Sequence, residues 1–196
     1  IVLFGQEPFA SHLRLSNIKM YKYDWIWHKS NPSNIALANK QPMRYHEVIS
    51  VFYKKQPTYN KQMIRRTNKT VASQQKSGKP FVNRTSKQTG LKSVIVNPNK
   101  YNKDWKNPST ILKVNSLRPN SKEFVKHPTQ KPIALLDILI RTYTNKNETV
   151  LDNTMGSGST AISCLRTKRN FIGIEKDETY FNLTQQRVNN WKMWWT

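Results

Sequence analysis

The stretch from Glu148 to Lys176 leaves this chain few folds to choose from. It runs as an apolar strand from Thr149 to Leu151 that ends on Asp152, then a glycine turn, Gly156-Ser157-Gly158-Ser159-Thr160. A helix from Ala161 to Arg166 follows, and then a second strand, Phe171 to Ile174, closed by Glu175. That order is one half of a nucleotide-binding α/β sheet. Glycines at 156 and 158 let the backbone turn sharply and approach a ligand closely, and Ala161 lets the helix sit tight on the sheet. Glu175 falls where a carboxylate can accept from ribose hydroxyls, so a ribose-bearing cofactor is the implied ligand. A glycine pattern alone is weak; the preceding strand, the following helix and the acidic residue at the proper distance give it weight.

The 196 residues leave room for one sizeable domain, or a core with an inserted lobe. Lys plus Arg number 33 against 11 Asp plus Glu, a formal net charge of +22. So much self-repulsion opposes a compact fold unless an anionic partner relieves it, and nucleic acid is the leading candidate. The single cysteine, Cys164, excludes an internal disulfide or a cysteine zinc cluster and reads as core packing. No apolar run reaches the length of a membrane span and no signal peptide is visible, so a soluble, cytoplasmic protein is expected.

From the start, Ile1 to Phe4 reads as a buried strand, followed by a short helix from Pro8 to about Asn17. Tyr23 to His28 alternates in strand fashion, with Tyr23, Trp25 and Trp27 on one face and Asp24, Ile26 and His28 on the other. Lys29 to Pro42 is a polar loop, and His46 to Tyr53 another apolar strand. Lys54 to Lys126 is polar and strongly basic, with short apolar runs at Ser93 to Val96 and Ile111 to Val114. It reads as a lobe whose Lys61, Arg65, Arg66, Lys69, Lys76, Lys79, Arg84 and Lys87 neutralise phosphates, or else as a solvated insertion. Beyond it, Thr129 is placed to cap and Pro132 to open a helix over Ile133 to Tyr143; a last helix runs from Glu178 to about Lys192.

Three segments together, His127-Pro128-Thr129-Gln130-Lys131-Pro132, Leu151 to Thr160 and Phe171 to Glu175, closely resemble the C-terminal part of the β-group DNA amino-methyltransferases. Those enzymes methylate adenine N6 or cytosine N4. Ile1 to Phe9, Trp25 to Lys29 and His46 to Phe52 look like the group's middle strands. The resemblance implies a Rossmann-like methyltransferase sheet in three parts: a catalytic-side half over 1–56, a basic target-recognition lobe over 57–126 and an S-adenosyl-L-methionine-binding half over 127–196. It also implies cofactor contacts from Thr129, Gln130, Lys131, Asp152, Thr154, Gly156, Gly158 and Glu175, with Lys131 suited to pair with the cofactor carboxylate. Double-stranded DNA becomes the expected partner, with Lys29 and Asn31 near a target base or phosphate. A homodimer stays open, and a prokaryotic or phage origin is implied.

Two departures stand out. Asp152-Asn153-Thr154 replaces the family's Asp-Pro-Phe, which removes an aromatic beside the cofactor. The family's catalytic tetrapeptide, Asp (or Asn or Ser)-Pro-Pro-aromatic, occurs nowhere in these residues, so no catalytic residue is named. It is expected upstream of Ile1 in a longer polypeptide. Adenine-N6 methylation is the first reading, with cytosine-N4 methylation, a non-catalytic DNA-binding remnant and an RNA methyltransferase as alternatives.

Overall fold

A computed structural model describes residues 1–65, 81–83, 94–96 and 104–193. In chain order its elements are β1 (Val2–Gly5), α1 (Phe9–Ser16), β2 (Tyr21–His28), a 3-10 turn (Ile35–Leu37), β3 (His46–Phe52), β4 (Ile64–Arg65), β5 (Phe81–Asn83) and β6 (Val94–Val96). Then follow β7 (Trp105–Lys106), β8 (Ile111–Lys113), α2 (Ile133–Tyr143), β9 (Thr149–Asp152), α3 (Ser159–Thr167), β10 (Asn170–Gly173) and α4 (Glu178–Met193). The chain divides into two units, Ile1–Asn60 with Ser109–Thr196, and Lys61–Pro108. The basic insertion is therefore shorter than the expected 57–126. Ile111 to Lys113 leave it because they pair in parallel with Ile26 to His28, and this puts Leu112 in the core at 6% exposure. The smaller unit contains two antiparallel pairs, β4 with β7 and β5 with β6.

In the larger unit the alternation read in β2 is realised. Trp25 and Trp27, each 3% exposed, pack with Ile49, Val51 and Leu112 against Leu135 and Leu139 of α2. Each such buried apolar side chain contributes roughly 1.5–3 kcal/mol. The Tyr143 hydroxyl ties α2 down, accepting from Trp25 Nε1 at 2.6 Å and sharing a 2.8 Å bond with the Tyr23 hydroxyl; burial pushes its pKa up. On the opposite face, Asp24 accepts from Ser50 Oγ at 2.6 Å and pairs with Arg14 of α1 at 3.2 Å.

The expected sheet forms as two hydrogen-bonded pieces. One is four-stranded in the order β1-β3-β2-β8, antiparallel except for β2 with β8; the other is the parallel pair β9 and β10. Within that pair Phe171 packs toward α3 and α4, while the register partners Leu151 and Ile172 are exposed on the other face. A second core, of Ile133, Met155, Ala161, Ile162 and Val188, joins α2, α3 and α4 beneath the glycine turn. No described helix is long and apolar enough to cross a membrane.

Candidate cofactor site

The turn after β9 is built by its own backbone and by partners from distant elements. Asp152 braces it from within, one oxygen accepting from Thr154 N at 3.1 Å and the other from Thr160 Oγ1 at 2.6 Å. Gly156 and Gly158 adopt φ of +54° and +74°, the left-handed region that costs a side-chain-bearing residue energy. Each also has a wall where a Cβ would stand. At Gly156 that atom would lie 2.8 Å from His127 Nε2, and at Gly158 it would lie 2.5 Å from Thr184 Cγ2. From α4, Thr184 Oγ1 donates to the Gly156 carbonyl at 2.9 Å and Arg187 donates to the Ser157 carbonyl.

Glu175 sits below the turn. Its carboxylate accepts from Asp177 N at 2.9 Å and Gly156 N at 2.7 Å, and these two backbone donors hold its pKa below the ordinary value. The Lys176 N–H adds to them. In this conformation, though, the residue expected to face a ribose secures the glycine turn.

The segment 127–132 forms the facing wall. His127 meets the Tyr180 ring edge-on with centroids 4.3 Å apart, and its Nδ1 accepts from Thr129 N at 3.3 Å. Burial lowers its pKa, and with Nδ1 accepting, the neutral ring carries its proton on the Nε2 that faces Gly156. Thr129, expected to cap α2, does not: the helix's Ile133 N donates to Glu123 Oε2 at 3.0 Å. Gln130 is engaged at both ends of its amide, donating to Glu123 O at 2.7 Å and accepting from Val125 N at 2.9 Å. Lys131 donates to Thr129 O at 3.1 Å, lies 5.2 Å from the centre of the Phe4 ring and pairs with Glu47 at 3.3 Å.

Between these walls lies a cavity of about 490 Å3. Six of the sequence-named residues line it, namely Thr129, Gln130, Lys131, Asp152, Thr154 and Gly156, together with Ile1 and the β1 residues Val2 to Phe4. Gly158 and Glu175 do not line it and act behind the turn instead. A shallower concavity on the other side of His127 is bordered by Phe124, Asp177 and Tyr180.

The residues expected near DNA fall in different surroundings. Lys29, expected near nucleic acid, is 5% exposed and pairs with Glu47 at 3.2 Å, so it is not a surface cation. Asn31 is half-buried, while Lys61 and Arg65 are exposed. Arg66, Lys69, Lys76, Lys79, Arg84 and Lys87 lie outside the described residues. Sequence reasoning gave no part in the site to Glu47, Glu123, Thr184 or Arg187. Thr184 and Arg187 carried no local signal, being polar positions on a last helix that reads as solvent-facing there.

The glycine turn at the carboxyl end of a parallel strand, with an acid closing the next strand, defines an α/β protein of the nucleotide-binding kind. Residues 5–186 match the family described as DNA methylase, N6_N4_Mtase, and the chain belongs to that family. Over 97 residues it is 38% identical to the type II methyltransferase M.BglI of Bacillus subtilis, a match covering 48% of this chain and 27% of that protein. Over 64 residues it is 42% identical to the type II methyltransferase M2.MboI of Moraxella bovis, covering 33% of this chain and 23% of that protein. The matched stretches thus span about a quarter of these relatives' own length. Among solved structures, the M1.HpyAVI–SAM complex superposes with a TM-score of 0.61 at 27% identity, covering 96% of this chain and 73% of the other. The cytosine-N4-specific PvuII DNA methyltransferase shares the fold, with a TM-score of 0.59 at 15% identity.

Proposed function

We propose that this chain carries the S-adenosylmethionine site of a DNA methyltransferase acting on the exocyclic N6 of adenine. The observation that carries the reading is the cavity, in which residues from two separate motifs of the sequence, 127–132 and 151–160, converge with those of the first strand. Its size falls in the roughly 300–1,000 Å3 range of small-molecule sites. Its lining suits the ligand: a lysine ammonium stands at one wall for a carboxylate, and the turn contributes Gly156 with the hydroxyl-bearing Thr154, Ser157, Ser159 and Thr160. The solved M1.HpyAVI complex, similar over 96% of this chain, was described with SAM.

In this reading Lys131 and Thr129 receive the amino-acid end of the cofactor, and Gly156 with Thr154 lets it lie close to the backbone. Glu175, behind the cavity, keeps the turn in shape through the Gly156 N–H. The cofactor's sulfonium supplies an activated methyl group, so the chain's task is alignment. An exocyclic amine inside a duplex is out of reach, which requires the target base to be extruded. The charge of +22, with Lys61 and Arg65 exposed on the smaller unit, supplies counter-charge for the DNA backbone.

The test is transfer of labelled methyl from S-adenosylmethionine to mixed-sequence DNA, followed by digestion to nucleosides. Label in N6-methyladenine supports the reading, and label in N4-methylcytosine replaces adenine by cytosine. Binding of both ligands without transfer reduces the proposal for these 196 residues to binding alone. DNA affinity is expected to fall steeply with salt, and a flat titration would remove the basic unit from the DNA interface.

A further inference from the structure

Behind the cavity wall, one carboxylate serves two ammonium groups. Glu47 of β3 pairs through Oε1 with Lys29 at 3.2 Å and through Oε2 with Lys131 at 3.3 Å. The three side chains are 15%, 6% and 21% exposed respectively, so Lys29 is the most withdrawn and Lys131 the one that reaches the cavity. Lys29 follows directly on Trp27 and His28 of β2, and its backbone N–H donates to Tyr45 O at 2.7 Å. A buried ammonium without a counter-charge is strongly destabilising, which accounts for the first pair. It does not account for the second. Lys131 stands on the far side of the same carboxylate, also held by the Thr129 carbonyl at 3.1 Å and over the face of Phe4.

We propose that Glu47 is a positioning residue that fixes the Lys131 ammonium at the cavity wall, and that Lys29 leaves this cluster with a surplus positive charge for the carboxylate end of the cofactor. The inference rests on the S-adenosylmethionine reading above and deepens it. Two cations on one carboxylate carry a net +1. The half of Glu47 that would otherwise neutralise Lys131 is already committed to Lys29. Lys131 is therefore held in place by an oxygen that neutralises it only in part. Its long side chain would otherwise spend rotational freedom on binding, and holding it beforehand strengthens recognition of an anion.

The test compares binding of S-adenosylmethionine with that of its decarboxylated analogue, by calorimetry on the full 196-residue chain. The wild type is expected to prefer the carboxylate-bearing ligand by roughly tenfold, the order of one charge-assisted contact. Lys131→Met brings the ratio to about one. Glu47→Gln, which keeps the shape and removes the charge, lowers the ratio several-fold if Glu47 positions Lys131, and raises it if Glu47 merely neutralises. Lys29→Met lowers it too, because Glu47 then neutralises Lys131 alone. An unchanged or higher ratio in Glu47→Gln overturns the inference. So does a uniform loss of affinity for both ligands with the ratio kept, since that is what a purely structural role produces. A wild type that binds both ligands equally overturns the inference and leaves the proposed function standing; one that binds neither removes the function as well.

Discussion

Replacing Gly158 by alanine should cost far more than a surface glycine would, and the structure says why. At φ +74° an alanine is strained by roughly 1–2 kcal/mol. The added Cβ would also stand 2.5 Å from Thr184 Cγ2 and 2.7 Å from its Oγ1, on a side chain only 2% exposed. Thr184 has to turn away, and in doing so it gives up the 2.9 Å bond from Oγ1 to the Gly156 carbonyl, a loss of about 0.5–1.5 kcal/mol. Crowding in a packed site adds about 1–3 kcal/mol. The expected total is about 3–5 kcal/mol, since these terms overlap and do not simply add.

Urea unfolding followed by circular dichroism measures that total, and a double-mutant cycle apportions it. Thr184→Ala removes the two nearest atoms and leaves Cβ at 3.0 Å, so in that background Gly158→Ala should cost the backbone strain and a small remainder of crowding, and the two substitutions should couple by about 2 kcal/mol. If Gly158→Ala costs under about 1 kcal/mol, or costs the same with and without Thr184, the reasoning is refuted. The first result would mean that the turn is plastic, the second that the strain lies wholly in the backbone.

Four further outcomes follow from particular side chains. Tyr143→Phe leaves the indole N–H of Trp25, a residue 3% exposed, without its acceptor and should lower stability by about 1–3 kcal/mol, read as a shift in the urea midpoint. Glu123→Ala removes the acceptor for Ile133 N at the start of α2 and should cost about 1 kcal/mol by the same assay, with Glu123→Gln recovering part of it. Burial lowers the His127 pKa, so below the ordinary value of 6.5 the unfolded chain takes up the proton first; Tm should fall as pH drops from there, and His127→Gln should flatten that part of the profile. Glu175 acts with the same sign in a more acid window: its stabilisation is present above the ordinary 4.5 and is lost as pH falls from there through its lower folded value, a window that Glu175→Gln should remove.

Much of the fold was legible wherever local chemistry dictates it. Helix α2 begins and ends where Pro132 and the spacing of Leu135, Leu136, Leu139 and Ile140 place it, and the alternation of Tyr23, Trp25 and Trp27 names the buried face of β2. The β9-turn-α3-β10 unit appears to within a residue or two at each boundary. What escaped reading depends on pairing between distant residues. Ile111 to Lys113 are three residues in a polar, basic stretch, and only the edge of β2 makes them a strand. Glu123 lies in that same stretch, and nothing local marks it as the cap of a helix ten residues on. Thr184 and Arg187 reach back 28 and 30 residues to the glycine turn from a helix face whose polarity looked like solvent. Lys29 looked like a charge for DNA because its buried counter-ion, Glu47, sits on another strand.

The glycine pattern shows how a ligand signature and a packing signature become one. Gly156 has no room for a Cβ because of His127, Gly158 because of Thr184, and Gly173, on the neighbouring strand, because a Cβ there would lie 2.0 Å from Met155 Sδ. Each glycine is thus required by a side chain from elsewhere in the chain, with or without a ligand at the turn. His127 belongs to the segment that lines the cavity, and Thr184 holds the carbonyl of Gly156, so the atoms that fix the turn also set the cavity wall. Stability and cofactor affinity should then fall together for substitutions at 156, 158 and 184. Substitutions at Lys131 or Glu47, which touch no glycine wall, should change the discrimination between cofactor and decarboxylated analogue. A loss of binding without a loss of stability at Gly158 would break that link and show that the turn is shaped for the ligand alone.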